Sequence, residues 1–356
     1  MKTTICVVED RQVHEPALKL LLLSMRANCP AVPVNLFYPE ADGGFVTWVR
    51  RCPQVCLHMR RPNGHGWEVK PAAMMGLIDQ GFEEVIWIDS DIIVTQDVLK
   101  VFSGLSADTF AATEDALGGV RDDLNALRAR LWGFPVGRIL PFVLNSAVLR
   151  ITRAHCHLME RWREVQGSKT FQEAKRDDWN ERPVHLKGDQ DVLTALLTSK
   201  AFSSIPLYIL RRGKHILQFN GVFGYTLFDR MRSLIHGLPP FVHSFAGKPW
   251  AEQWPTRESM GLSEYIKEVY LDLSPYTITA TRFRHELESE TGWMDPHYLP
   301  SRILRRVGLG TGNPALVGLP IAVLADLMRT IRWVRKSRHL NPFSSEEPEV
   351  VHDTRM

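Results

Sequence analysis

Along the first 100 residues, short apolar runs alternate with stretches of helical period. Residues 3–8 are apolar and rich in β-branched side chains, and Leu18, Leu21, Leu22 and Met25 then recur at the spacing of one helix face. A strand followed by a helix is predicted. Residues 32–38 and 55–59 read as further strands, and Trp67, Pro71, Met74, Met75 and Ile78 mark a helix that Gly81 stops. Residues 84–94 form a nearly continuous apolar strand that breaks at Asp89-Ser90-Asp91 and then resumes. Strands buried on both faces are apolar throughout, and their alternation with helices implies right-handed βαβ units. The chain therefore opens as half of a doubly wound sheet.

Later segments are more mixed. Residues 109–113 and 142–151 predict strands, and 154–165 and 191–197 predict helices, while the polar stretch 166–183 reads as a surface insertion. Short apolar pieces at 205–210, 216–219 and 241–242, set among Gly and Pro, predict a partly antiparallel edge. The fold class is α/β, a mixed but mostly parallel Rossmann-like sheet flanked by helices, with a helical extension at the C-terminus. The sequence holds no internal repeat, no Walker-type phosphate loop and no dinucleotide fingerprint of spaced glycines.

Composition adds exclusions. With 44% hydrophobic and 23% charged residues among 356, the chain falls outside the collagen-like, disordered and disulfide-scaffold classes. A net charge of +3 is too small a bias to point to nucleic acid. The five cysteines have no zinc-ligand spacing and no paired framework, which fits a reducing compartment. No secretory signal precedes Glu9 and Asp10, so a cytoplasmic location is expected. Charge is uneven: residues 301–340 carry eight basic residues against Asp326, a local +7, and residues 341–356 carry −3. The basic segment, with its apolar centre Leu316 to Met328, can lie on an anionic membrane surface or pack on the preceding domain. The acidic tail predicts disorder.

Four short segments carry candidate chemistry. Asp89 and Asp91 follow a buried strand of an open α/β sheet, where ligands bind, and two carboxylates there can hold a hard divalent cation. Asn145 and Ser146 interrupt an apolar run, where polar groups are costly unless they face a polar cleft or close a turn. Gly188-Asp189-Gln190-Asp191 opens a helix, and one of its acids can serve as a cap. In the segment Phe241-Val242-His243-Ser244-Phe245-Ala246-Gly247-Lys248-Pro249-Trp250, His243 can complete a metal site, and Gly247 and Lys248 can admit and neutralise a phosphate.

An Asp-x-Asp after an apolar strand, an Asn-Ser segment, Asp-Gln-Asp before a helix and His followed by Gly-Lys-Pro-Trp, in this order, resemble glycosyltransferase family 8 and its nucleotide-diphospho-sugar transferase relatives. The resemblance implies a GT-A fold over residues 1–270, a helical basic extension over 271–340 and a tail over 341–356. It implies that Asp89, Asp91 and His243 hold Mn2+ or Mg2+, with Ser90 between them. Gly247 and Lys248 would meet the donor diphosphate, while Val8, Glu9 and Asp10 would lie near the base and ribose. Asn145, Asp189 and Gln190 would line the sugar and acceptor, joined by Lys70 and Asp115. The implied reaction moves a sugar from a nucleotide sugar, a UDP-sugar before a GDP-sugar, to a saccharide or lipid-linked saccharide hydroxyl with retention. Alternatives are an inverting transferase or a nucleotidyltransferase on the same metal site, or a non-catalytic peripheral scaffold. The segment Val8-Glu9-Asp10-Arg11-Gln12 lacks the Gly-rich phosphate loop a nucleotidyltransferase needs, and an inverting enzyme needs a base such as Asp189 or Asp191.

Overall fold

The computed structural model describes residues 2–64, 68–115, 122–218, 225–245, 248–250, 274–287, 315–316 and 319–339. β1 (Thr3–Val8) leads into α1 (Glu15–Asn28), which carries Pro16 in its first turn and buries Leu20 through Leu23. β2 (Val34–Phe37), α2 (Gly43–Val49), β3 (Val55–His58) and α3 (Val69–Asp79) continue the alternation. β4 (Glu84–Ile88) stops just before Asp89, and β5 (Ile92–Val94) starts just after Asp91. Then come α4 (Val98–Phe102), β6 (Phe110–Glu114), α5 (Asp122–Leu131), β7 (Leu144–Thr152), α6 (Cys156–Gln166), α7 (Lys169–Ala174) and α8 (Asp189–Thr198). The remaining elements are β8 (Leu207–Leu210), β9 (Ile216–Leu217), α9 (Leu227–His236), β10 (Phe241–His243), α10 (Pro275–Ala280) and α11 (Leu319–His339).

The main sheet runs β3-β2-β1-β4-β7-β6-β8, and β7 alone is antiparallel to its neighbours. Alternate residues of each strand face opposite layers. Ile5, Val7, Ile86 and Ile88 pack with the leucines of α1, whereas Cys6, Val85 and Trp87 pack with Met74, Ile78 and Trp162 on the other face. Strand order reverses between β1 and β4, which opens a crevice beyond their carboxyl ends. Because β7 runs the other way, its first residues meet the same crevice. Its register with β6 jumps from Ala112 opposite Leu149 to Thr113 opposite Asn145, and such irregularities re-aim side chains beside functional sites.

Three expectations need amendment. The apolar pieces after residue 205 do not form one edge: β8 joins the main sheet parallel to β6, while β10 pairs antiparallel with β5 and parallel with β9 in a separate three-stranded sheet. The break at Asp89-Ser90-Asp91 is thus a passage from one sheet to another, and Asp91 lies at the seam. The polar stretch 166–183 contains α7, capped by Ser168, and anchors itself through the buried Phe171. The run that begins at Asp191 in the sequence pattern starts two residues earlier, at Asp189. Phe219 and the acidic tail 341–356 lie outside the described residues, as do residues 301–314.

Candidate active site

The crevice encloses a cavity of about 340 Å³, lined among others by Val8, Asp10, Lys70, Asp89, Asp91, Asn145, Gln190, His243 and Lys248. That volume suits a small-molecule ligand.

The floor is a chain of bonds centred on Lys70, which α3 carries into the interior at 5% exposure. Its ammonium lies 3.1 Å from Asp89 Oδ1 and 3.3 Å from Asp189 Oδ2 and donates to Ser146 Oγ at 2.8 Å. Burial pulls the amine's pKa down, but Asp189 and Asp89 outweigh it and hold the pKa above the ordinary lysine value. Ser146 Oγ in turn donates to Asp189 Oδ2 at 2.6 Å, and Trp87 Nε1 donates to Asp89 Oδ1 at 2.6 Å. Burial raises the pKa of Asp89, opposed by the Lys70 charge. Farther along, Asn145 Nδ2 donates to Gln190 Oε1 at 3.2 Å, and Gln190 Nε2 donates to Asp115 Oδ2 at 2.8 Å. Asp115 is buried behind Gln190 rather than exposed in the cavity.

The metal candidates converge from two sheets. Asp89 and Asp91 close the end of β4, and His243 ends β10, directly opposite Ile92 in the antiparallel pair with β5. One donor atom from each of Asp89, Asp91 and His243 lies within 4.8 Å of the other two. Two carboxylates and an imidazole form a donor set suited to Mn2+ or Mg2+. His243 Nε2 sits 3.3 Å from Asp91 Oδ1, while its buried Nδ1 has no hydrogen-bond partner among the described residues. The other Asp91 oxygen pairs with the Lys248 ammonium. Burial alone would raise the pKa of Asp91, but Lys248 and His243 bring it well below the ordinary carboxylate value.

Val8, Glu9 and Asp10, near the end of β1, all line the cavity, and Glu9 also braces the turn. Glu9, 1% exposed, accepts from the backbone N–H groups of Asp10 and Arg11, both at 3.0 Å, from the Arg11 guanidinium and from Ser90 Oγ. Glu9 therefore fixes the turn, and the Ser90 hydroxyl is committed to it. Asp191 points away from the cavity: it accepts from Gly188 N at 3.1 Å as a helix cap and from Arg128 Nε at 2.8 Å. Burial pushes its pKa up to about 6 against the pull of Arg128. Gly247 lies outside the described residues.

Five lining residues were given no role from the sequence: Arg11, Val69, Trp87, Trp179 and Phe245. Trp179 stands 41% exposed in the polar segment between α7 and α8, and a tryptophan left exposed among charged residues was the signal available for it.

No family model matches the chain, and no curated protein matches its sequence. Its neighbours among solved structures are glycosyltransferases. The apo form of the glycosyltransferase GlyE from Streptococcus pneumoniae TIGR4 aligns at 15% identity with a TM-score of 0.45, over 80% of this chain and 63% of that one. The chain thus spans less than two thirds of GlyE. The galactosyltransferase LgtC, in complex with donor and acceptor sugar analogues, aligns at 14% identity with a TM-score of 0.43, over 80% of this chain and 95% of that one. Mouse xyloside xylosyltransferase 1 in its apo form aligns at 13% identity with a TM-score of 0.42, over 69% and 98%.

Proposed function

We propose that the chain is a metal-dependent glycosyltransferase that moves a sugar from a nucleotide-diphosphate sugar, a UDP-sugar before a GDP-sugar, to a saccharide or lipid-linked saccharide hydroxyl with retention. The observation that carries this reading is the convergence of Asp89, Asp91 and His243 donor atoms within 4.8 Å, in a cavity at the point where strand order reverses.

Each lining group then has a role. Asp89, Asp91 and His243 would hold Mn2+ or Mg2+, whose chemistry is to neutralise charge on the departing diphosphate. His243 turns Nε2 to within 3.3 Å of Asp91 Oδ1, the nitrogen that would join the two carboxylates on a cation. Lys248 supplies the counter-charge of Asp91, and with a cation held there it would be placed to meet the donor diphosphate. Lys70 is a positioning residue that fixes Asp89 on one side and Asp189 on the other. Val8 and Asp10 face the nucleoside end, with Glu9 and Ser90 bracing the turn beneath them. Gln190, Asn145 and Asp189 offer an amide and carboxylate surface for sugar hydroxyls, with Asp115 orienting Gln190 from behind. Asp191, capped into its helix and paired with Arg128, is unsuited to act as the general base of an inverting transfer. Asp189 is already engaged by Lys70 and Ser146. Both facts favour retention, in which the acceptor proton passes toward the departing phosphate.

The test is hydrolysis of a panel of nucleotide sugars with and without Mn2+ by the wild type and by Asp91→Ala. Release of one nucleoside diphosphate that requires the metal and disappears in the variant supports the reading and names the donor. A panel in which no donor is turned over and none raises the melting temperature would leave the scaffold alternative in its place.

A further inference from the structure

α9 is inside out. Its buried positions are Asp229, Arg230 and Ser233, while Phe228, Met231 and Ile235 are 73%, 62% and 72% exposed. Two of the buried polar side chains have local work: Asp229 and Thr226 cap one another, and Arg230 donates to the carbonyls of Tyr225 and Ala315 at 3.0 Å each. The apolar residues, spaced three and four apart, form one stripe turned away from those partners. α11 repeats the pattern. It buries Ala322 and Ala325 and exposes Val323, Leu324, Leu327, Met328 and Ile331. Asp326 of α11 accepts the N–H of Leu227 at 2.8 Å, which ties the two helices together at the start of α9. Contiguous apolar exposure on this scale is uncommon on a soluble surface and marks a place where something docks.

The surroundings of α9 say what. Arg232 and His236, on the same helix, line a second cavity of about 360 Å³ together with Lys100, Lys214 and His215, and no Asp or Glu among the described residues lines it. The cavity is shaped by the backbone. Gly213 adopts φ +73°, and a Cβ there would fall 2.2 Å from Asp229 Oδ1, so only glycine lets the Lys214 turn close onto α9. The chain around α11 is also strongly basic, with eight Lys or Arg against one Asp over residues 301–340. Two copies of this chain meeting on such a face would set like charges against each other. No helix among the described residues is long and apolar enough to cross a membrane, so contact would be along the surface.

We propose that α9 and α11 form one docking face for an anionic lipid bilayer, the exposed apolar residues entering the acyl boundary and the Lys100–Lys214–Arg232 cavity receiving a lipid phosphate. This goes beyond the catalytic reading and does not depend on it. The test is flotation of the full chain with vesicles of phosphatidylcholine alone or mixed with phosphatidylglycerol, comparing wild type, Phe228→Ser/Ile235→Ser and Lys214→Glu/Arg232→Glu. All four positions lie outside the proposed active site, and circular dichroism and melting temperature check that each variant is folded. Wild type should float with the mixed vesicles and not with the neutral ones, and each double variant should bind them roughly tenfold or more weakly. Wild type that stays with the soluble fraction, or folded variants that float as well as wild type, would overturn the proposal. So would sedimentation showing a dimer that the Phe228 and Ile235 changes dissociate, since the occupant would then be a second copy.

Discussion

Two parts of the same cavity are finished to different degrees. Around Lys70, each polar group has a named partner: Asp89, Ser146 and Asp189 bond to the ammonium or to one another, and Asn145, Gln190 and Asp115 carry the chain onward. Around Asp91, among the described residues, the cluster is open: His243 Nδ1 has no hydrogen-bond partner, and Lys248 supplies the only full positive charge paired with Asp91. A satisfied buried network is rigid and sets geometry before any ligand arrives, whereas an incomplete one gains stability when a ligand completes it. Asp89 belongs to both, fixed by Lys70 yet aimed with Asp91 and His243 at a common point.

The strongest way to break the contrast is at Asp91. Asp91→Ala removes one ligand and leaves Lys248 without its partner, and donor turnover should fall about a thousandfold, the scale seen when an electrostatic group at a transition state is deleted. The fold should survive, because Lys248, whose side chain is 34% exposed, can be solvated by water once Asp91 is gone. The distinguishing readout is thermal: Mn2+ with UDP should raise the melting temperature of the wild type and leave that of the variant unchanged. Equal stabilisation of both proteins would show that the cation sits elsewhere.

Lys70→Met should act in the opposite sense. It leaves Asp89 and Asp189 buried, close together and without a counter-charge, which costs about 3 kcal/mol or more of stability. Denaturant unfolding measures that loss. An Asp91 variant as unstable as the Lys70 variant would erase the distinction between the two parts.

The same contrast between a full set of bonds and a bare cluster of charge recurs at His215. Its Nδ1 accepts the Arg211 N–H at 2.9 Å and its Nε2 meets Tyr208 Oη at 3.2 Å, so the folded protein needs this ring neutral. Burial, with help from Lys214 and Arg232, lowers its pKa to about 4. The unfolded chain therefore takes up the proton first as pH falls. Stability is fully present above pH of about 6.5 and is lost as pH falls toward 4, by up to about 3 kcal/mol from this group. His215→Gln keeps an acceptor and a donor but cannot titrate, so its stability should fall less over that range than that of wild type. Parallel pH profiles for the two proteins would refute the assignment.

What the sequence made legible follows the same division. Hydrophobic period located β1, α1, α3 and β4, because the pattern and the burial agree there. α9 carries a helical period too, in Phe228, Met231 and Ile235, with Thr226 and Asp229 as its start signal; what the pattern could not show is that its apolar face is the exposed one. Asp89, Asp91 and His243 could be named because metal ligation limits the residue types. Their nearness could not be read, since it depends on β10 joining β5 in a second sheet. Nor could the separation of roles among neighbours: Glu9 and Ser90 look like ligands but bond to each other, and Asp189 and Asp191, two residues apart, face the cavity and the Arg128 pair respectively.

The gentlest probe is Trp179, which lines the cavity from the polar segment between α7 and α8 rather than from either sheet. Trp179 is 41% exposed, with the Arg182 guanidinium 5.8 Å from its ring centroid, and an indole offers a wide apolar surface on which the C–H face of a sugar ring can lie. Trp179→Ala removes that surface without touching the Lys70 chain or the Asp91 cluster. A contact of this kind is worth about 1 kcal/mol, so the KM for one saccharide should rise roughly fivefold while kcat, metal requirement and melting temperature stay as they are. Trp179→Phe should recover most of the loss, because it keeps an aromatic face. A fall in kcat of the same size as in Lys70→Met would instead place Trp179 among the groups that set the geometry of the reaction.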